Sequence, residues 1–190
     1  PTPNLDLLAM DGIRFTDAHS PSAVCAPTRY GILTGRYCWR TRLKRGVLWC
    51  WDKPLIEPER LTVGKLMKMH GYDTACIGKW HLGWDWPTVD GKPPVGMGKT
   101  VGEDSGANVD FTKAIENGPT TRGFDYYFGT AVPNFPPYCF IENERTVGIP
   151  TKPKPKNMFG CPGPMLEGWD LEKILPALEK KAVEYIHAKC

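Results

Sequence analysis

A cysteine and an arginine are spaced so that a helix would bring their side chains together. Residues 25–29 read CAPTR and continue as YGILTGR, in which Gly35 is a typical helix stop. A helix that begins near Cys25 places Arg29 one turn later on the same face. The positive end of the helix dipole and the guanidinium both favour an anion at this point. Taken alone, the pair also fits a buried cysteine beside an ordinary ion-paired arginine.

A lysine and a histidine follow about fifty residues later, in the run GKWHLG at residues 78–83. Alternate residues of an extended chain face the same way, so Lys79 and His81 are predicted to project to one side and Trp80 to the other. The lysine provides a positive charge for an oxyanion, and the histidine can exchange a proton near neutral pH. A surface lysine and a core histidine are the alternative interpretation.

The elements that must position these residues predict an α/β fold. We expect helices from Pro3, from about Pro27 to Thr34, between a cap at Thr62 and a stop at Gly71, and from near Pro176. Extended runs are expected at residues 13–19, 72–81 and 123–129. This order indicates a mostly parallel sheet flanked by helices. The aromatic run 123–129 is expected at the sheet edge, and residues 84–122 as loops. The last helix is predicted to turn five apolar residues inward: Leu178, Ala182, Val183, Tyr185 and Ile186.

Composition indicates one ordinary core with long loops, because 20 glycines and 19 prolines occur among 190 residues. The hydrophobic share of 41% excludes a disordered chain, and no apolar run approaches the roughly 18 residues that span a bilayer. The net charge is +3, and no nucleic-acid motif accompanies it. A basic cluster stands out as either a solvated loop or a site for an acidic substrate: Arg40, Arg42, Lys44 and Arg45.

Seven cysteines occur without a CxxC pair or zinc-ligand spacing. We expect mostly reduced thiols with at most a pair or two bridged, which leaves the redox compartment open. The chain starts at Pro1 without an initiator methionine or a signal peptide, so we expect it to be cut from a longer protein.

The two motifs together resemble the signatures of the sulfatase family. Residues 25–36 are similar to the first signature and residues 71–83 to the second. Shorter similarities occur at residues 3–6, 12–15 and 123–125. The resemblance is close over residues 1–86 and patchier through residues 123–146 and the final helix. It implies the alkaline phosphatase-like α/β fold of the formylglycine-dependent arylsulfatases.

The resemblance also implies a role for each motif residue. Cys25 would be oxidised to formylglycine, whose hydrate attacks the sulfur of a sulfate ester. Arg29 would stabilise that hydrate, Lys79 would bind a sulfate oxygen and His81 would hydrogen-bond the hydroxyl of the nucleophile. A formylglycine-generating or sulfatase-maturating enzyme would recognise Pro27 and Arg29. The expected substrate is a sulfated small molecule or carbohydrate, and the expected location is periplasmic or secreted.

Calcium is a further implication of the resemblance. Cys25, as formylglycine, would be one ligand, and the others would be an Asp-Asp pair on a first strand and an Asp-Asn pair downstream, neither of which lies in this chain. We therefore expect residues 1–190 to be an incomplete N-terminal part of a sulfatase catalytic domain, lacking the first strand and the C-terminal half. Without calcium such a piece should bind substrate poorly.

Three other functions fit the same residues. A phosphonate or phosphate ester hydrolase of the same superfamily shares the cysteine motif. A non-catalytic fragment could bind sulfated ligands while Cys25 stays a thiol. Cys25 could also be an ordinary thiolate nucleophile, although no partner base is identifiable. The tryptophans and arginines of residues 39–52 either line a carbohydrate site or pack the loop.

Overall fold

The computed structural model describes residues 1–97 and 101–189, so residues 98–100 and the last cysteine, Cys190, lie outside the described residues. The helices are α1 (Pro3–Asp11), α2 (Cys25–Thr34), α3 (Val63–Met69) and α4 (Ile174–Lys189). The strands are β1 (Ala75–Ile77), β2 (Tyr126–Gly129), β3 (Ile141–Glu142), β4 (Arg145–Thr146), β5 (Lys152–Pro153) and β6 (Pro164–Met165). Short 3₁₀ turns lie at Cys38–Arg40, Pro119–Arg122 and Leu171–Lys173.

The main sheet has the strand order β1-β2-β3-β4, and β5 pairs with β6 separately. The α/β class is confirmed, but among the described strands only β1 and β2 pair in parallel; β2-β3 and β3-β4 are antiparallel. The expected edge position of the aromatic run is wrong, because β2 is hydrogen-bonded on both sides. Tyr127 and Phe128 are both buried there.

Helix α2 begins at Cys25, two residues before the predicted start, and ends as predicted at Gly35. Pro27 is compatible with this first turn, where a backbone N–H has no partner inside the helix. Gly35 adopts a φ of 64°, and its N–H donates to the carbonyl of Gly31 at 2.8 Å. Ala26 and Tyr30 are fully buried and attach the helix to the core.

Tryptophans form the centre of the core. Trp51 meets Trp86 edge to face at 5.2 Å, and Trp84 lies 5.5 Å from Tyr127. Residues 84–97 and 101–122 pack around these rings, and Gly118 leaves room for Trp84 because a Cβ there would overlap the ring. The long loops are therefore held by aromatic packing rather than by a second sheet.

Two other expectations are wrong. Residues 13–19 form no strand and are exposed, since no described strand lies beside them to share backbone hydrogen bonds. Helix α4 does pack Tyr185 against Tyr126, with ring centroids 5.5 Å apart. However, Val183 and Ile186 point to solvent, with 46% and 58% of their surfaces exposed.

None of the helices in the described residues combines the length and the apolar character needed to cross a membrane. All six described cysteines are unbridged.

Thr62 caps helix α3 as predicted and also joins it to the turn that leads into β2. Its buried hydroxyl accepts the Lys65 N–H at 3.1 Å and donates to the Arg122 carbonyl at 2.6 Å. Gly64 meets Gly123 so closely that a Cβ on either residue would overlap the other chain segment. Helix α3 and the 122–123 turn are thus one packed unit.

We predict that Thr62→Ala lowers the free energy of unfolding by about 2–3 kcal/mol, because the substitution removes a helix cap and leaves the Arg122 carbonyl without its partner. Thr62→Ser keeps the hydroxyl and should cost only about 1 kcal/mol for the lost methyl group. Urea unfolding of both variants checks this. Equal losses for alanine and serine would show that the hydroxyl contributes nothing.

Candidate active site

A cavity of about 510 Å³ lies where the first turn of α2 faces the segment that follows β1. Cys25, Arg29 and Lys79 all line it. Two of these residues come from the helix and the third from a segment fifty positions away. The cavity thus brings together the two motifs that the sequence singled out.

Helix α2 presents Cys25 as its first residue, after the extended Val24. The loop before it is held by hydroxyl groups. Thr28 donates to the Ser22 carbonyl at 2.6 Å, and Ser20 donates to the same carbonyl at 2.7 Å. Cys25 therefore sits at the positive end of a helix whose approach is fixed by local hydrogen bonds.

Arg29 connects the two sides of the cavity. Its guanidinium Nη1 donates to the main-chain carbonyl of Lys79 at 2.5 Å. Within the described residues neither Arg29 nor Lys79 forms an ion pair with a carboxylate. Two positive charges and a helix N-terminus thus face one cavity, which favours an anionic ligand.

Lys79 is partly buried beside Cys25. Burial lowers the pKa of its ammonium, the adjacent Cys25 opposes that shift, and the positive charge of Arg29 lowers the pKa further. An anion bound between Lys79 and Arg29 would relieve both unfavourable contributions.

The backbone of residues 78–81 is held along residues 128–131. The N–H groups of Gly78, Trp80 and His81 donate to the carbonyls of Phe128, Thr130 and Ala131 at 2.9–3.0 Å. Gly129 lies so close to Gly78 that a Cβ on Gly129 would overlap the Gly78 carbonyl. This pairing extends the β1-β2 contact and carries Lys79 into the cavity.

Tyr127 holds the backbone at Gly78 in place. This role of Tyr127 was not predicted from the sequence. Its hydroxyl lies 3.1 Å from the Gly78 carbonyl and 3.0 Å from the Thr130 carbonyl. Burial raises its pKa, so the phenol keeps its proton and acts as a donor. A tyrosine inside an aromatic run was the available signal, because a buried tyrosine hydroxyl needs a partner.

His81 is buried and does not line the cavity. Its Nε2 lies 2.8 Å from the Leu48 carbonyl, and Phe135 meets the ring edge on at 5.8 Å. The backbone turns here with a φ of 55°. The predicted alternation is therefore wrong in detail: Trp80, expected to point away from Lys79, lines the cavity as well.

The protonation state of His81 follows from its surroundings. Burial lowers its pKa to about 4, partly offset by the Leu48 carbonyl and reinforced by the charges of Lys79 and Arg29. A neutral ring that donates from Nε2 to Leu48 leaves Nδ1 as an acceptor. That Nδ1 atom has no hydrogen-bond partner among the described residues.

The described residues do not form a calcium site by themselves. No group of three or more His, Cys, Asp or Glu side chains lies close enough together within residues 1–97 and 101–189 to hold a metal ion. Cys25, the one ligand that the resemblance places in this chain, has Lys79 and Arg29 beside it.

Comparison with known proteins identifies the class. The chain belongs to the sulfatase family, whose family model matches residues 1–145. It is 34% identical over 149 residues to N-acetylgalactosamine-6-O-sulfatase of Bacteroides thetaiotaomicron, covering 78% of this chain. It is 44% identical over 82 residues to human arylsulfatase A, covering 43% of this chain.

A solved structure gives the same result for the fold. This structure, described under the metabolism of multiple glycosaminoglycans by Bacteroides thetaiotaomicron, matches with a TM-score of 0.71 and 25% identity. The match covers 98% of this chain and 43% of the other. The predicted sulfatase fold, alkaline phosphatase-like, is thereby confirmed. The chain spans 25% of the Bacteroides relative and 16% of human arylsulfatase A.

The low pKa of His81 makes stability depend on pH in a defined window. The unfolded chain binds a proton at His81 below about pH 6.5, whereas the folded chain does so only near pH 4. The contribution of His81 to the free energy of unfolding is therefore fully present above pH 6.5. About 3 kcal/mol of it is lost as the pH falls toward 4. Urea unfolding between pH 4 and pH 7 measures the loss.

The matched variant is His81→Asn, because asparagine tolerates the positive φ and does not titrate. Its unfolding free energy should fall less steeply across this window than that of the wild type. Parallel curves for the two proteins would show that His81 is not the titrating group.

Proposed function

We propose that this chain is part of a sulfuric ester hydrolase that cleaves a sulfate monoester through a formylglycine hydrate made from Cys25. The observation that carries the proposal is the meeting of Cys25, Arg29 and Lys79 in one cavity. Relatives named as N-acetylgalactosamine-6-O-sulfatase and arylsulfatase A support the reaction class. The periplasmic or secreted location stays a prediction.

The nucleophile requires a prior modification. Conversion of the Cys25 thiol to an aldehyde exchanges sulfur for oxygen and removes two electrons, so the maturating enzyme must supply an oxidant. Hydration of the aldehyde gives two hydroxyl groups on one carbon. Ala23 and Val24, directly before α2, both face solvent and offer such an enzyme an accessible segment next to Cys25.

The reaction then proceeds by a displacement and an elimination. One hydroxyl oxygen bonds to sulfur and gives up its proton while the ester S–O bond breaks; its electron pair goes to the leaving oxygen, which takes up a proton and departs as the alcohol. The second hydroxyl loses its proton, the C=O bond forms again, and the bond between carbon and the sulfate oxygen breaks. Sulfate leaves and the aldehyde is restored, as expected for covalent catalysis.

Each nearby residue has a role that its geometry supports. Lys79 would hold a sulfate oxygen, because its ammonium lies beside Cys25 without a carboxylate partner among the described residues. Arg29 would stabilise the hydrate from a guanidinium fixed by the Lys79 carbonyl. His81 does not line the cavity; the role that the resemblance implies for it, accepting a hydrogen bond from a hydroxyl of the hydrate, would use its Nδ1, which has no partner among the described residues.

We predict that Cys25→Ala abolishes sulfate ester turnover in the complete enzyme, because alanine removes the thiol from which the formylglycine would be made. Lys79→Ala should lower turnover by about 10² or more, since a charged contact to a developing oxyanion is lost. Hydrolysis of 4-nitrophenyl sulfate measures both. Matched controls are Cys161→Ala and Lys113→Ala, whose side chains lie outside the cavity. Near-normal rates for the cavity variants would refute the assignment.

The modification itself has a direct readout. Expression with a formylglycine-generating enzyme should lower the mass of the Cys25 peptide by about 18 Da, while the Cys161 peptide stays unchanged. An unshifted Cys25 peptide would instead favour the non-catalytic binding module. Comparison of 4-nitrophenyl sulfate with an aryl phosphonate separates the superfamily alternative. A higher kcat/KM on the phosphonate would overturn the sulfatase proposal.

A further inference from the structure

A second, smaller cleft adjoins the cavity of Cys25. Its volume is about 150 Å³, and Ser22 and Val24 belong to the walls of both spaces. The far wall of this cleft comes from the segment after α2 and includes Trp39, Lys44 and Arg45. A ligand whose reacting group enters the larger cavity therefore has a neighbouring surface for its next unit.

The aromatic part of this wall is unusually open. Tyr37 and Trp39 stack with ring centroids 6.0 Å apart, and the Arg40 guanidinium lies 5.1 Å from the centre of the Trp39 ring. Even with these contacts, 55% of the Trp39 surface is exposed. A paired aromatic surface of this kind suits the apolar C–H face of a sugar ring.

The charge of the wall is one-sided. Residues 18–51 contain six lysines or arginines and no aspartate or glutamate. Arg36 pairs with Glu57, but Arg40, Lys44 and Arg45 have no ion pair among the described residues. Lys44 also donates to the Trp39 carbonyl at 3.0 Å, which holds its ammonium beside the aromatic pair. This combination favours an anionic partner.

The remaining tryptophans and arginines of the segment are used in packing. Trp49 stacks on Phe135 at 5.3 Å, and Trp51 is 1% exposed. Arg42 turns away and donates to the Lys53 carbonyl, in a different cleft. The structure thus separates the part of the segment that is free for a ligand from the part that builds the core.

We propose that the cleft at Trp39, Lys44 and Arg45 binds a second, negatively charged sugar unit of the substrate, so that the substrate class is a sulfated oligosaccharide. The inference rests on the proposed function, because it takes the Cys25 cavity as the place of the reacting sulfate. Trp39, backed by Tyr37, packs on the sugar ring, and the two basic side chains of Lys44 and Arg45 meet its sulfate or carboxylate.

Binding can be measured without turnover in the Cys25→Ala variant of the complete enzyme. The ligands are tetrasaccharides of chondroitin 6-sulfate, heparin and carrageenan, the chemically desulfated form of each, and inorganic sulfate. We expect at least one sulfated tetrasaccharide to bind more tightly than its desulfated form and than sulfate ion. Trp39→Ala should weaken that binding about tenfold, equivalent to about 1.4 kcal/mol. Lys44→Ala combined with Arg45→Ala should weaken it similarly and reduce its salt dependence.

Matched controls have exposed side chains of the same kind outside both spaces. Phe159→Ala removes an aromatic ring that is 74% exposed, and Lys156→Ala with Lys180→Ala removes two exposed charges. Both controls should bind like the parent. Equal urea midpoints verify that the cleft variants are folded.

Several results would overturn the proposal: no binding of any sulfated tetrasaccharide, equal binding of the desulfated forms, or unchanged binding by both cleft variants. The failure of the proposed function is seen separately, as absence of 4-nitrophenyl sulfate turnover by the complete wild-type enzyme. The binding assay is read independently of that result.

Discussion

The contact of Gly78 with Gly129 is the constraint on which the candidate site depends. The lack of a side chain at Gly129 lets residues 78–81 lie against residues 128–131, and Gly78 itself adopts a positive φ of 135°. Tyr127 then secures the Gly78 carbonyl from the buried side. A Cβ at Gly129 would separate the two segments, and Lys79 would lose its place opposite helix α2. The position of the Lys79 charge thus rests on close backbone packing.

The electrostatic potential of the cavity is set by the charged groups and the helix end that line it. The start of α2, Arg29 and Lys79 all present positive potential to one cavity, and no described Asp or Glu lines it. Partial burial makes the Lys79 charge unfavourable until an anion arrives. His81 remains neutral behind the cavity, so it can accept a hydrogen bond without adding a third charge. The positive potential in the cavity suits a bound oxyanion.

Local sequence signals predicted where helices begin and end better than they predicted strand pairing and side-chain burial. The cap at Thr62 and the stop at Gly35 were found because each depends on a few adjacent residues. The strand expected at residues 13–19 was wrong, since a strand exists only where a neighbour shares its backbone hydrogen bonds. The edge position of β2 was wrong for the same reason. The inward face of α4 was partly wrong, because helical spacing does not say how much of a face is covered.

The sequence by itself determined the residue types of the site, Cys25 with Arg29 and Lys79 with His81, and the family whose signatures they resemble. Only the tertiary structure decided which of them share a cavity. It placed Cys25, Arg29 and Lys79 together and turned His81 toward Leu48, because a positive φ interrupts the alternation of the extended chain. It also decided which aromatic residues of the following segment stay open. Side-chain direction and exposure depend on contacts between distant segments, which spacing along the chain does not contain.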